Sequence, residues 1–178
     1  MKITKLVLLL AVVVSTASCS TVRVASDYDK EVNFAGYKTY AFYKPGIDQV
    51  RISELDKKRI LRAIEANMTA KGFTKSETPD LMVSFFTKER ERIDVYNNNF
   101  GYGWGWGPYY GGYYGTSVSS STEGSLYVDF IDAKQNQLVW QGIGTATLVT
   151  SGNVEKKEER INKIVSELIQ QYPPGSEK

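Results

Sequence analysis

Chemistry in this chain is limited first by what it lacks. Its 178 residues include one cysteine, Cys19, and no histidine. That rules out Ser-His-Asp and Cys-His nucleophilic arrangements and imidazole-ligated metals. Carboxylates, lysines and tyrosines remain. Asp27 and Asp29 form one close pair in the sequence, and Asp129 and Asp132 another. Two facing carboxyls about 5–9.5 Å apart in a cleft would suit a hydrolase acting on glycan, and the same residues are candidates for calcium ligation. They fall at strand ends and turns, where aspartate most often bonds its own backbone, and they lack the one-loop spacing of an EF-hand. No GxGxxG, P-loop or HExxH pattern is present, and no cofactor or metal is implied.

Cys19 has a different use. Lys2 and Lys5 precede an apolar run of nine residues, Leu6 to Val14, and then small residues Ser15, Thr16, Ala17 and Ser18. This is the three-part layout of a secretory signal. Nine residues fall well short of the roughly 20 that cross a bilayer as a helix. The segment Thr16-Ala17-Ser18-Cys19 resembles a bacterial lipobox, although the commonest form has leucine where Thr16 stands. The resemblance implies cleavage of residues 1–18 and lipidation of Cys19. Two or more acyl chains are enough for stable anchoring. Ser20 rather than an aspartate follows the cysteine, which by resemblance to the enterobacterial sorting rule favours the outer membrane, facing the periplasm.

Cleavage also changes the charge balance. The precursor carries +2, from 22 basic and 20 acidic residues; without Lys2 and Lys5 the mature chain is neutral. A neutral chain with no dense basic patch is a poor partner for nucleic acid. The mature length, residues 19–178, suits a single domain with a proper core.

The second unusual run is 97–115, which holds eight aromatics, seven glycines and no charge. Phe100, Tyr102, Trp104, Trp106, Tyr109, Tyr110, Tyr113 and Tyr114 are the candidate binding residues. Flat aromatic faces stack on sugar rings, sit at the lipid headgroup level, or hold another envelope protein. The plain alternative is a disordered glycine-rich loop.

The elements that would position these residues follow from periodicity. Val22 to Tyr28 alternates as a strand and Tyr37 to Tyr43 forms a second, ended by Pro45-Gly46. Ser53 is an N-cap for a helix with the apolar stripe Ile60, Leu61, Ile64, Met68; Gly72 supplies its stop, with Phe73 folding back on Met68. Leu81 to Thr87 is nearly all apolar, which predicts a central strand covered on both faces. It runs on through Lys88 to Val95 with charge on both faces, the pattern of an arm leaving the body; a short charged helix is the alternative. Thr116 to Thr122 pairs back along that arm. Gly124 to Ile131, a loop Asp132 to Asn136, and Gln137 to Val149 form a hairpin. Gly142, Gly144 and Ala146 share one face of its second strand, leaving room for a helix; a bulge is the other explanation. Ile161, Ile164, Val165, Leu168 and Ile169 stripe a final helix from Val154 to Gln171. Tyr28, Tyr40, Phe42, Phe85, Phe86 and Trp140 read as core.

The expected fold is α+β, a two-layer sandwich. It has a mostly antiparallel sheet of about five strands, two helices on one face, and a protruding arm (88–122) tipped by the loop 97–115.

Taken in order, several short motifs resemble the bacterial lipoprotein family catalogued as domain of unknown function 4136. They are Asp27-Tyr28-Asp29, Tyr37-Lys38-Thr39-Tyr40-Ala41, Lys71-Gly72-Phe73, Pro79-Asp80-Leu81, Gly124-Ser125-Leu126, Leu138-Val139-Trp140-Gln141-Gly142 and Tyr172-Pro173-Pro174. The resemblance spans nearly all of the mature chain and implies a lipoprotein signal and often a Gly/aromatic insert. It carries over no catalytic residue. The functional expectation is therefore a non-enzymatic outer-membrane lipoprotein. It would be held in the membrane by Cys19, with its aromatic tip touching membrane, glycan or partner. A carboxylate hydrolase on envelope glycan and a carrier of an apolar ligand between sheet and helices stand beside it.

Overall fold

Strand pairing runs from one end of the sequence to the other. The structure, a computed structural model, describes residues 22–97, 116–148 and 152–173. The elements are β1 (Arg23–Tyr28), a 3-10 turn (Phe34–Gly36), β2 (Thr39–Phe42), α1 (Lys44–Asp48), α2 (Glu54–Ala70), β3 (Thr74–Lys75), β4 (Leu81–Asn97), β5 (Thr116–Asp132), β6 (Gln137–Thr147) and α3 (Val154–Gln170). They build one mixed sheet in the order β1-β6-β5-β4-β2-β3. The first strand thus pairs with the last, antiparallel, from Arg23↔Thr145 to Tyr28↔Trp140. β2 lies parallel to both β3 and β4. The fold is α+β with both long helices on one face, as the periodicity predicts, with six strands rather than five.

Local chemistry explains the two helices. At α2 the Ser53 side chain accepts from Asp56 N, and Glu54 and Asp56 sit in the first turn, where the helix dipole favours negative charge. Its end is a left-handed Gly72 (φ 85°), with Phe73 N donating to Met68 O at 3.0 Å. α3 is capped by Asn153, whose side chain accepts from Lys156 N at 2.8 Å. Each helix turns its apolar stripe to the sheet: Ile60, Ile64 and Met68 from one, Ile164, Val165, Leu168 and Ile169 from the other, all buried. Full burial of such a side chain is worth about 1.5–3 kcal/mol.

The facing row of the sheet is equally apolar. Leu81, Val83 and Phe85 of β4, Leu126, Val128 and Phe130 of β5, and Trp140 of β6 are buried. Gly142 and Gly144 complete the β6 row. A Cβ on Gly144 would lie 2.5 Å from Ile164 Cγ2, and one on Gly142 would lie 3.0 Å from Leu168 Cδ2. The glycines are therefore close-approach positions. The bulge sits elsewhere, between Phe130 and Ile131.

Three readings from the sequence need correction. β4 is central but not covered equally: Met82 and Phe86, on the face away from the long helices, are only half-buried, because both long helices lie on the other side. Ser84 alone of that row is buried, at a point where Gly46 of α1 approaches its hydroxyl. Pro45-Gly46 does not merely end a strand; Pro45 occupies the first turn of α1, where a missing N–H costs nothing. Tyr28 is 39% exposed rather than core, since it ends an edge strand; its ring meets Phe34 edge-on at 6.0 Å.

Tyr172, just past α3, is almost fully buried. Its ring meets Phe34 at 5.6 Å, Phe73 at 5.9 Å, Phe130 at 4.8 Å and Trp140 at 5.7 Å. Lys71 Nζ, at the end of α2, donates to the Tyr172 carbonyl and reaches Gln170 O, so a cation sits where the carbonyl ends of both long helices converge.

Candidate functional site

The arm is the largest departure from a plain two-layer domain. β4 and β5 stay in register over seventeen residues each, from Leu81↔Asp132 to Asn97↔Thr116. β6 leaves at Glu123↔Thr147, and Leu148 N donates to Thr122 O at 2.9 Å. Beyond that point, among the described residues, the two strands pair only with each other, through six further pairs from Arg92↔Ser121 to Asn97↔Thr116. At about 3.4 Å per residue the hairpin extends about 20 Å. The register sets Ser and Thr opposite the charged run: Glu91 faces Thr122, Arg92 faces Ser121 and Asp94 faces Ser119. The candidate binding residues Phe100 to Tyr114 lie outside the described residues, as does Cys19; the segment that holds the aromatics joins the two ends of this hairpin.

A groove opens at the base of the arm. Its volume is about 240 Å3. Gly124, Leu126, Ala146 and Thr87 floor it from the sheet, and Ile52 and Ile60 on one side and Ile161 and Ile164 on the other wall it. Asp56, Lys88, Glu89, Lys157 and Arg160 bring charge to its lining. Asp56 accepts from Arg59 at 2.7 Å and from Lys157 at 3.1 Å, which ties the starts of the two long helices together. Arg160 donates to Thr147 O at 2.9 Å. Burial pushes the Asp56 carboxyl up, but hydrogen bonds from Ser53, Lys157 and Arg59 outweigh it and hold it below the usual carboxylate range.

The four aspartates singled out from the sequence do not gather at one point: Asp27 and Asp129 lie either side of Gln141 on one face of the sheet, while Asp29 and Asp132 fall at strand ends. Asp132 caps the β5–β6 turn, accepting from Lys134 N and Gln135 N at 2.7 Å each, and takes the Tyr37 hydroxyl at 2.8 Å. The Gln135 N–H is the main reason its pKa lies low. Asp29 accepts from Glu31 N, and Asp27 from Tyr28 N. Asp129 lies on the sheet face away from the long helices, bound by Gln141 at 2.7 Å, and burial raises its pKa. The turn-forming role fits Asp29 and Asp132, whereas a hydrolase would need its raised-pKa acid and its partner facing one cleft. Among the described residues no cluster of three or more acidic or sulfur ligands stands ready for a metal.

Asp80 enters the sequence reading only through the Pro79-Asp80-Leu81 motif, with no role attached. One oxygen accepts from Lys38 N, Thr39 N and the Thr39 hydroxyl, at 2.8–3.0 Å, and so clamps the start of β2 to the start of β4. Its only local signal is the Pro79-Asp80 step before an apolar strand. Ile60, Ala146, Ile161 and Ile164 of the groove read in the sequence only as packing positions; the lining comes from five elements, and no local pattern marks them together. On the open face of the sheet, Phe86 and Tyr127 stack at 4.4 Å with Lys88 Nζ over both rings.

Residues 24–174 match the family described as "Domain of unknown function (DUF4136)". The chain belongs to that family. Beyond this DUF4136 match, no curated protein matches the chain. Solved structures to which the chain shows a likeness include a PDZ domain protein from Parabacteroides distasonis, 18% identical, with a TM-score of 0.48 over 92% of this chain. This chain spans 39% of that protein's length. The PelC dodecamer from Paraburkholderia phytofirmans is 15% identical, with a TM-score of 0.43 over 83% of this chain and 97% of its own. A minor lipoprotein from Acinetobacter baumannii is 13% identical, with a TM-score of 0.35 over 76% of this chain and 88% of its own. Among the described residues no helix is long and apolar enough to cross a membrane.

Proposed function

We propose that this chain is a lipid-anchored, non-enzymatic module of the bacterial cell envelope, seated at the outer membrane, that presents an aromatic segment to another envelope component. The observation that carries the reading is the arm. Six strand pairs continue past the last support of the body, and the segment they enclose contains Trp104 and Trp106. A ribbon of that length with no third strand among the described residues costs order without building core, which makes sense if its end has work to do. The signal layout around Cys19 supplies the address.

The test uses the pairing itself. Asn97 and Thr116 are opposite one another, so replacing residues 98–115 with Asn-Gly closes the hairpin with a two-residue turn. The shortened protein keeps its circular dichroism and its unfolding midpoint, and loses the partners that the full chain crosslinks in intact cells. Recovery of the same crosslinked partners by the shortened chain refutes the reading.

A second reading, binding of an apolar ligand between sheet and helices, is supported by the groove, whose volume of about 240 Å3 and aliphatic walls have the character of such a site.

A further inference from the structure

The groove lies at the end of the molecule where the chain enters. Val22 packs against the core, and Arg23 begins β1 opposite Thr145, so the entry point is one residue along the sheet from Ala146 on the groove floor. Cys19 is three residues before Val22. Three extended residues reach about 10 Å. Whatever Cys19 carries is therefore tethered within about 15 Å of Ala146 on the groove floor, about 10 Å of chain plus one strand spacing of about 4.8 Å.

We infer that the groove holds one acyl chain of the Cys19 anchor itself. The inference rests on the reading of Cys19 as lipidated and on the groove as an apolar-ligand site. Three observations carry it. The first is size: an apolar cavity of 150 Å3 admits benzene, so on that scale about 240 Å3 accepts about ten carbons, a large part of one fatty chain. The second is chemistry. Ile60, Leu126, Ala146, Ile161 and Ile164 offer only C–H surface; of the charged lining residues, Asp56, Lys157 and Arg160 have partners in the protein and Lys88 lies over the Phe86 and Tyr127 rings, which leaves the exposed Glu89. The third is the tether. A link this short gives an effective concentration in the millimolar range, an advantage that an untethered lipid lacks. Withdrawing one chain into the protein leaves the others in the bilayer, and membrane hold falls steeply with the number of inserted chains. Occupancy of the groove would thus set how firmly the protein is held.

The test exploits the missing thiols. Once Cys19 is a thioether, a cysteine introduced elsewhere is the one reactive thiol in the chain. Thr87→Cys places it on the groove floor, with Ile161→Cys on the wall as a second position. Arg90→Cys places it at the same end of the molecule but on the opposite face of the strand, exposed. Each variant is prepared as the full lipidated protein in phosphatidylethanolamine–phosphatidylglycerol vesicles. Each is also prepared in a Cys19→Ala background, with and without the same vesicles. The rate of modification by a small maleimide is then measured. The expected result is that Thr87→Cys and Ile161→Cys react about tenfold more slowly in the lipidated protein, the slowing that about nine-tenths occupancy produces, while Arg90→Cys reacts equally in all forms. Equal rates at the groove positions overturn the inference, and so does equal slowing at Arg90→Cys, which marks shielding by the bilayer. Protection of the Cys19→Ala protein by vesicles alone assigns the groove to membrane lipid instead of the chain's own anchor. Intact mass distinguishes the remaining failure: no diacylglycerol on Cys19 removes the anchor reading itself, and the inference with it.

Discussion

Gly144→Ala tests how closely α3 sits on the sheet. The added methyl would stand 2.5 Å from Ile164 Cγ2 and 3.2 Å from the nearest Leu168 carbon. Carbon atoms in contact prefer about 3.5–4.0 Å, so α3 must lift by about 1 Å or Ile164 must turn. Turning is costly, because a β-branched side chain in a helix has one favoured χ1. Lifting costs packing along Ile164, Val165, Leu168 and Ile169, all of which lie on the face turned to the sheet. Overpacking of this kind costs about 1–3 kcal/mol. Replacing glycine by alanine also stiffens the unfolded chain and returns about 0.4–1 kcal/mol. The net expectation is a loss of about 1–2 kcal/mol. With a urea slope of about 2 kcal/mol/M, the unfolding midpoint followed by tryptophan fluorescence falls by about 0.5–1 M. Gly36→Ala is the control: a Cβ there meets nothing within 4 Å, so the midpoint stays or rises. The cycle with Ile164→Ala adds a check, since removing the obstructing methyl makes the double variant lose less than the sum of the singles. A Gly144→Ala midpoint at or above that of the parent, with Gly36→Ala behaving as stated, refutes the close approach.

Asp80→Ala unclasps β2 from β4. It removes three hydrogen bonds to one carboxylate oxygen and costs about 1.5–3 kcal/mol in a urea titration at neutral pH; an unchanged midpoint contradicts the clamp. The Lys38 N–H and its companions hold the Asp80 carboxyl below its usual range, so it binds fewer protons folded than unfolded. Its contribution is present above about pH 4 and fades as the pH falls through that region. Asp80→Asn therefore flattens the acid limb of the stability curve, and an acid limb as steep as the parent's would count against the assignment. At the other limit, burial pushes the Tyr40 hydroxyl up to about 12, with Glu65 adding to it. A group raised on folding contributes below its unfolded value, about 10, and loses that contribution as the pH climbs toward 12. Two units correspond to roughly 2–3 kcal/mol. The drop in urea midpoint from pH 8 to pH 11.5 should be smaller in Tyr40→Phe than in the parent, the remainder belonging to Tyr37 and Tyr172, which burial also raises; an equal drop in both disproves this origin.

Much of the architecture is legible in local patterns. The stripes of α2 and α3, the Ser53 cap, the Gly72 stop and the small-residue row of β6 each report a constraint acting within a few residues. What escapes is non-local. β3 is two residues long and has no period to detect. α1 reads as a break because Lys-Pro-Gly joins two poor helix formers, yet the first turn of a helix excuses proline its missing N–H. Tyr28 alternates like a core residue, but its exposure depends on which strand ends up at the sheet edge. Asp80 acts across 41 residues to Thr39, a span that spacing does not reveal. The groove is less visible still. Gly124 and Ala146 are legible as small residues, but their joint cavity exists only once β5, β6 and the two long helices meet.

The pairing of β1 with β6 also sets an order of events in time. Arg23 waits for Thr145, so the outer edge of the sheet cannot form until more than a hundred further residues have been made. At about 5–20 residues per second, that is roughly 6–24 s of synthesis. During it Val22 and Val24, which end half-buried against the core, have no native partner. β4 and β5 can zip as soon as both exist, and the late, long-range closure by β1 governs the pace at which the domain becomes whole. A newborn chain is thus obliged to keep its first strand unpaired for most of its own synthesis.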